Sequence, residues 1–242
     1  MEKKIRLGIV GAGRIVARVM TDLHNASEVE LTAIAGMNQE EADAAAARYG
    51  VPMAFSSFEA MAQSDAIDLA YIAIPNPYHE KYACMMMEHG KAVLCEKPAG
   101  LNDQQVLRMT ECARKNQVFW MEAMWTRFLP AVQKMMEVIR EGKIGDVSQM
   151  SAHFSYCPRT YDENDRVYKL ELGGGALLDL GVYPLMLCTQ VLGWNPTAVQ
   201  GFCKMTKGGV DMRTSAQLIY ENGAAAQVFC GMDAVSTNDL FV

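Results

Sequence analysis

Leu69–Ile74 is an unbroken apolar run, stopped by Pro75-Asn76-Pro77. A strand that is apolar on both sides belongs inside a parallel sheet whose two faces are both covered. Such a sheet needs helical crossovers, because parallel neighbours cannot be joined by a hairpin. The flanking sequence supplies them. Lys4–Val10 reads as a strand and Arg14–His24 as a helix with Ile15, Val19 and Leu23 on one face. Val29–Ala35 is a second strand. Asn38-Gln39-Glu40-Glu41 is a capping-box pattern that opens a helix ending at Gly50. Met53–Phe55, a short helix at Phe58–Gln63, a helix from Tyr78 to His89, Ala92–Cys95, a helix capped by Asn102-x-x-Gln105 and Val118–Glu122 complete the series. The alternation predicts a doubly wound parallel Rossmann sheet over residues 1–123.

The pattern changes after Ala123. A helix at Phe128–Glu141 leads to a strand at Val147–Cys157, a polar loop at Pro158–Lys169 and a helix at Ala176–Leu192. Strands at Ala198–Met205, Arg213–Tyr220 and Ala224–Met232, linked by turns such as Glu221-Asn222-Gly223, predict a mostly antiparallel sheet. Residues 124–242 are therefore expected to form an α+β domain for substrate binding or oligomerisation. The chain stops at Asp239-Leu240-Phe241-Val242, within what looks like a further strand, so this domain is expected to be shortened at its C-terminus.

Composition excludes several roles. A formal net charge of −6 argues against general nucleic-acid binding. No run looks long and apolar enough to span a bilayer, and MEKKIRLGIV passes straight into a strand, unlike a signal peptide. The seven cysteines, at 84, 95, 112, 157, 188, 203 and 230, form no C-x-x-C pair and have no histidine cluster beside them. They read as reduced thiols in a cytoplasmic protein without a metal site. The 18 methionines read as core filler.

Gly11-Ala12-Gly13 lies where the first strand becomes the first helix. There one glycine permits a tight turn, another lets backbone approach a pyrophosphate, and the helix N-terminus supplies N–H donors. The third small position of the usual fingerprint is Val16. An acid at the end of the second strand would indicate NAD. Gly36-Met37-Asn38 has none, which points to NADP(H), with NAD possible and Asn38 a candidate phosphate donor. Lys97, in Cys95-Glu96-Lys97-Pro98, stands at the end of the fifth strand, where open α/β sheets bind ligands. Downstream, Gly173-Gly174-Gly175 opens a helix on which Asp179 and Tyr183 fall at i and i+4.

Together these segments resemble the glucose–fructose oxidoreductase, inositol dehydrogenase and MocA family. The similarity rests on Gly11-Ala12-Gly13-Arg14-Ile15, Ile74-Pro75-Asn76-Pro77 with His79, Glu96-Lys97-Pro98 and the Gly173–Tyr183 stretch. Tyr183, where many sugar dehydrogenases of the family carry His, together with Met121–Phe128, resembles its dihydrodiol and D-xylose dehydrogenase branch. The resemblance implies hydride transfer between NADP(H) and a sugar, polyol or diol. Tyr183 would be the acid–base group, with a cationic Lys97 favouring its phenolate, and Asp179 would orient Lys97 or bind a substrate hydroxyl. It also implies cofactor contacts from Gly11, Gly13, Arg14, Ile15, Asn38, Pro75, Asn76, His79, Glu96, Lys97, Trp125 and Arg127, and a homodimer or higher oligomer through the C-terminal sheet. The alternative is a family member that binds dinucleotide without turnover, as a regulator or an inactive form.

Overall fold

The computed structural model describes residues 4–242, which divide into two compact units, one up to Ala123 and the other Met124–Val242. In the first, β1 (Ile5–Val10), β2 (Val29–Ala35), β3 (Met53–Phe55), β4 (Leu69–Ile72), β5 (Ala92–Cys95) and β6 (Trp120–Glu122) form a parallel sheet in the order β3-β2-β1-β4-β5-β6. The order reverses between β1 and β4, which makes the carboxyl ends of these two strands the switch point where α/β sheets open a crevice.

The helices α1 (Arg14–Asn25), α2 (Gln39–Tyr49), α3 (Phe58–Gln63), α4 (His79–Glu88) and α5 (Asp103–Asn116) cover both faces. One core joins Leu7, Ile9, Ile34 and Tyr71 to Val16 and Met20 of α1. The other joins Val10, Ile72 and Val93 to Met61, Met86, Met87 and Met109. These side chains are at most 5 % exposed, and each contributes about 1.5–3 kcal/mol of hydrophobic stabilisation. Five methionines therefore fill core gaps here, as composition suggested. Both predicted caps form: the side chains of Asn38 and Asn102 accept from the backbone N–H of Glu41 and Gln105. Gly50 takes the left-handed conformation that ends α2, at φ 65°.

The second unit contains a 3-10 turn (Trp125–Phe128), α6 (Pro130–Arg140), β7 (Gln149–Ser155), α7 (Val182–Leu192), β8 (Ala198–Met205), β9 (Asp211–Ile219), β10 (Ala225–Gly231) and β11 (Leu240–Phe241). The five strands pair in the order β11-β7-β10-β9-β8. All contacts are antiparallel except β7–β10, which is parallel because the chain crosses from β7 through α7 before the β8-β9-β10 meander begins. One face packs Met150, Ala152, Leu218, Ala226 and Val228 against Cys188 of α7. The other presents Gln200, Gln217 and Gln227 in register, all exposed, with Phe202 beside them at 75 % exposure.

Two expectations need correction. The helix expected over Ala176–Leu192 begins as a π-helical segment, Leu177–Gly181, and becomes α-helical only from Val182. Asp179 and Tyr183 therefore lie on either side of a change in helical pitch rather than on one regular i, i+4 face. Also, Leu170–Leu192 does reach the length and mean hydropathy, 1.4, of a membrane-crossing helix. The chain breaks it at Gly173, and Leu180, Met186 and Cys188 are buried within the unit.

Candidate active site

Gly11 and Gly13 are glycines for different reasons. Gly11 has φ 101°, and a Cβ there would stand 2.7 Å from Ile74 Cγ2 and 2.8 Å from the Ala73 carbonyl oxygen. Its own fold requires it. Gly13 has an ordinary φ of −75°, and a Cβ there would come no closer than 3.9 Å to another atom, the Ala73 carbonyl oxygen. Nothing in the protein demands glycine at 13. The added carbon would instead fill the space in front of the first turn of α1, which has no side-chain cap and no acidic residue. That open cradle at a helix N-terminus fits the pyrophosphate of a dinucleotide. Arg14 is exposed on the same turn, while Ile15 packs its side chain into the core. Val16, at the third fingerprint position, is fully buried with Ile9 and Tyr71, so its bulk is accommodated inside the sheet–helix contact.

At the end of β2, Asn38 is exposed and uses its carbonyl oxygen as the α2 cap. The Met37 backbone N–H donates to Glu41 Oε2 at 2.8 Å. This places a carboxylate from α2 beside the strand end, where the local Gly36-Met37-Asn38 sequence has none.

The segment that carries Lys97 is held from several sides. Tyr71 donates its hydroxyl to Glu96 Oε1, and the Lys97 backbone N–H donates to Glu96 Oε2 at 3.2 Å. The Ala99 N–H donates to Glu122 Oε1 at 2.8 Å, and Glu122 pairs with Cys95 in the sheet. His79 Nδ1 lies 2.9 Å from the Pro98 carbonyl oxygen, and Nε2 lies 2.8 Å from that of Ile74. The Lys97–Pro98 peptide is cis. Lys97, half-buried, thus leaves β5 from a fixed base at the carboxyl edge of the sheet that also carries the Gly11–Gly13 turn and the exposed Pro75.

These contacts give His79 and Glu96 partners within the protein. His79 is 0 % exposed with both ring nitrogens against main-chain carbonyls, so it ties the loop after β4 to the loop after β5. Burial pushes its pKa below the ordinary histidine value, against the opposing pull of the carbonyls and Glu96. Glu96 likewise braces Lys97 through both carboxylate oxygens. Asn76 is buried at 6 % exposure.

In the second unit, Trp125 Nε1 donates to the Tyr183 hydroxyl at 3.3 Å, and Arg127 lies exposed on the same 3-10 turn. The Tyr183 ring meets Phe154 edge-on, with centroids 5.1 Å apart. Asp179 Oδ1 pairs with Arg166 Nη2 at 3.1 Å. Two of the three glycines, Gly174 and Gly175, admit protein atoms close by. A Cβ on Gly174 would lie 2.5 Å from the Val167 carbonyl oxygen, and one on Gly175 2.5 Å from Asp211 Oδ1. Asp211 in turn accepts from the Leu177 N–H at 2.9 Å and the Thr214 hydroxyl at 2.7 Å, capping the π-helical segment.

Local patterning did not indicate Tyr71, Glu122, Phe154, Arg166 or Asp211. Only Glu122 carried a usable signal, an acid closing the strand next to the Lys97 strand.

Comparison with known proteins agrees with this architecture. Residues 5–123 match the GFO_IDH_MocA model, an oxidoreductase family with an NAD-binding Rossmann fold, and residues 132–242 match the GFO/IDH/MocA C-terminal domain. Trans-1,2-dihydrobenzene-1,2-diol dehydrogenase of Mus musculus is 34 % identical over 245 residues, covering 98 % of this chain and 72 % of that protein. The Homo sapiens enzyme of the same name is 31 % identical over 241 residues, covering 97 % and 70 %. A 3-ketoreductase from Actinomadura kijaniata, crystallised with NADP and TDP-benzene, superposes with a TM-score of 0.88 at 28 % identity, covering 98 % of this chain and 73 % of that one. With both of its domains matched and a Rossmann sheet of the required order, the chain belongs to the GFO/IDH/MocA family of oxidoreductases.

Proposed function

We propose that this oxidoreductase transfers hydride between NADP(H) and the CH–OH carbon of a small sugar, polyol or diol. The observation that carries the reading is Gly13, a glycine its own fold does not need, opening onto uncapped amides at the sheet edge that also bears Lys97. Gly11, Gly13 and the first turn of α1 would hold the pyrophosphate, and Asn38, through its amide nitrogen, the 2′-phosphate. Arg14, Pro75 and Arg127 would line the rest. When bound, the nicotinamide supplies the hydride acceptor or donor. The ketoreductase crystallised with NADP supports NADP, with NAD as a second possibility, and the dihydrodiol dehydrogenases support a diol-like substrate.

The protein's own groups handle the proton. Tyr183 takes the hydroxyl proton as the alcohol is oxidised and returns it on reduction. Lys97 would stabilise the substrate oxygen, and Asp179 would bind a substrate hydroxyl. Lys97→Ala should keep NADPH binding but lose turnover by orders of magnitude, and Tyr183→Phe should do the same. Unchanged turnover in Lys97→Ala would end the assignment. The seven free cysteines support a cytoplasmic setting. The exposed Gln and Phe202 face of the second sheet supports a homodimer formed there.

A further inference from the structure

We infer that Trp125 is a positioning residue for proton transfer, acting through the Tyr183 hydroxyl with which its indole N–H is hydrogen-bonded. The inference rests on Tyr183 being the acid–base group, and it gives Trp125 a role other than cofactor contact.

Trp125 opens the second unit on a 3-10 turn closed by the Arg127 N–H to the Met124 carbonyl. Its side chain is poorly covered for a tryptophan, at 58 % exposure, so core packing does not explain it. What it does have is a directed contact. Nε1 points at the Tyr183 oxygen at 3.3 Å, and the two rings meet edge-on with centroids 6.2 Å apart and planes at 72°. Phe154 holds the Tyr183 ring at 75° to its own plane. Of the two aromatic rings that meet the phenol, Trp125 is the one that offers a polar hydrogen.

The indole nitrogen can only donate. The hydroxyl oxygen accepts this bond in both protonation states, but the bond strengthens when the oxygen carries negative charge. The proton that Tyr183 takes from the alcohol binds another lone pair of the same oxygen, while the indole N–H stays as a fixed donor. The fixed donor restricts how the hydroxyl can turn and favours the form that acts as base. Asp179, on the turn before Tyr183, is paired with Arg166 from a separate 3-10 turn, and a change at Trp125 alone leaves that charged pair intact.

The test is Trp125→Phe, which keeps an aromatic ring and removes the N–H. A tryptophan isostere with sulfur in place of the N–H (benzothienylalanine) serves as a second variant that keeps the full shape. Both are assayed for NADP-dependent oxidation of trans-1,2-dihydrobenzene-1,2-diol. In both, kcat near neutral pH should fall roughly 3- to 10-fold, the low end for losing a long, partly solvated bond to a charged group. The rise of oxidation rate with pH should move upward by about 0.5–1 pH unit, with KM for NADP unchanged. A pH profile that superimposes on wild type, or an effect confined to KM, would overturn the inference. So would an isostere that behaves as wild type. If Tyr183→Phe itself retained turnover, the failure would lie with the acid–base assignment and not with Trp125.

Discussion

The two glycines of the phosphate turn should give opposite phenotypes when each gains one methyl group. In Gly11→Ala the new Cβ meets Ile74 Cγ2 at 2.7 Å and the Ala73 carbonyl oxygen at 2.8 Å, on a residue with φ 101°. Left-handed strain contributes about 1–3 kcal/mol and the forced contact about another 1–3 kcal/mol, so destabilisation of about 2–5 kcal/mol is expected. At roughly 2–4 °C per kcal/mol for a chain of this size, the unfolding temperature should fall on the order of 10 °C. In Gly13→Ala the Cβ stays 3.9 Å from its nearest neighbour at φ −75°. The loss of a good N-cap, about 1 kcal/mol, is offset by about 0.4–1 kcal/mol from a stiffer unfolded chain. Stability should stay within about 1 kcal/mol of wild type. The same methyl, however, stands in front of the α1 amides. Loss of one hydrogen bond to a charged phosphate costs about 1.5–3 kcal/mol, so NADPH affinity should drop roughly 10- to 150-fold. Thermal unfolding and a nicotinamide fluorescence titration on both variants separate the effects. Wild-type NADPH affinity in Gly13→Ala would refute the cradle, and equal loss of stability in both would refute the geometric distinction.

Other outcomes follow from the braces around the site. Because burial depresses the His79 pKa, the unfolded chain takes up that proton first as pH falls through the ordinary histidine value of ~6.5, and stability is lost toward the lower folded value. The wild-type unfolding temperature should therefore fall more steeply from about pH 7 to about pH 5 than that of His79→Gln, and parallel curves would count against the buried neutral ring. Asp211→Ala removes the acceptor for the Leu177 amide and the Thr214 hydroxyl and should destabilise the second unit by about 1–3 kcal/mol, read by urea unfolding. No measurable change would mean that water replaces the carboxylate.

Much of the first unit was legible because its signals are local. Val29–Ala35, Met53–Phe55 and Phe58–Gln63 form as read, since apolar runs and Asn or Ser caps act within a few residues. The parallel β7–β10 contact was not legible, because pairing partners 76 residues apart, Gln149 and Ala225, leave no local mark. The π-helical start at Leu177 depends on Asp211, which sits on another strand. At the site, Lys97 and Tyr183 stood out by position and motif. Their supports, Glu122 for the Lys97 loop and Trp125 for the Tyr183 hydroxyl, emerge only when long-range hydrogen bonds are traced. His79 shows the converse: a motif position can be singled out correctly while its side chain serves the scaffold.

The most direct test is titration of the purified protein with NADPH and, separately, NADH, followed by nicotinamide fluorescence. The account predicts saturable binding of NADPH, tighter than that of NADH, which is weakened roughly 10- to 150-fold in Gly13→Ala and retained in Lys97→Ala. Binding of neither nucleotide would contradict the reading of the Gly11–Gly13 turn, and with it the hydride-transfer function built upon it.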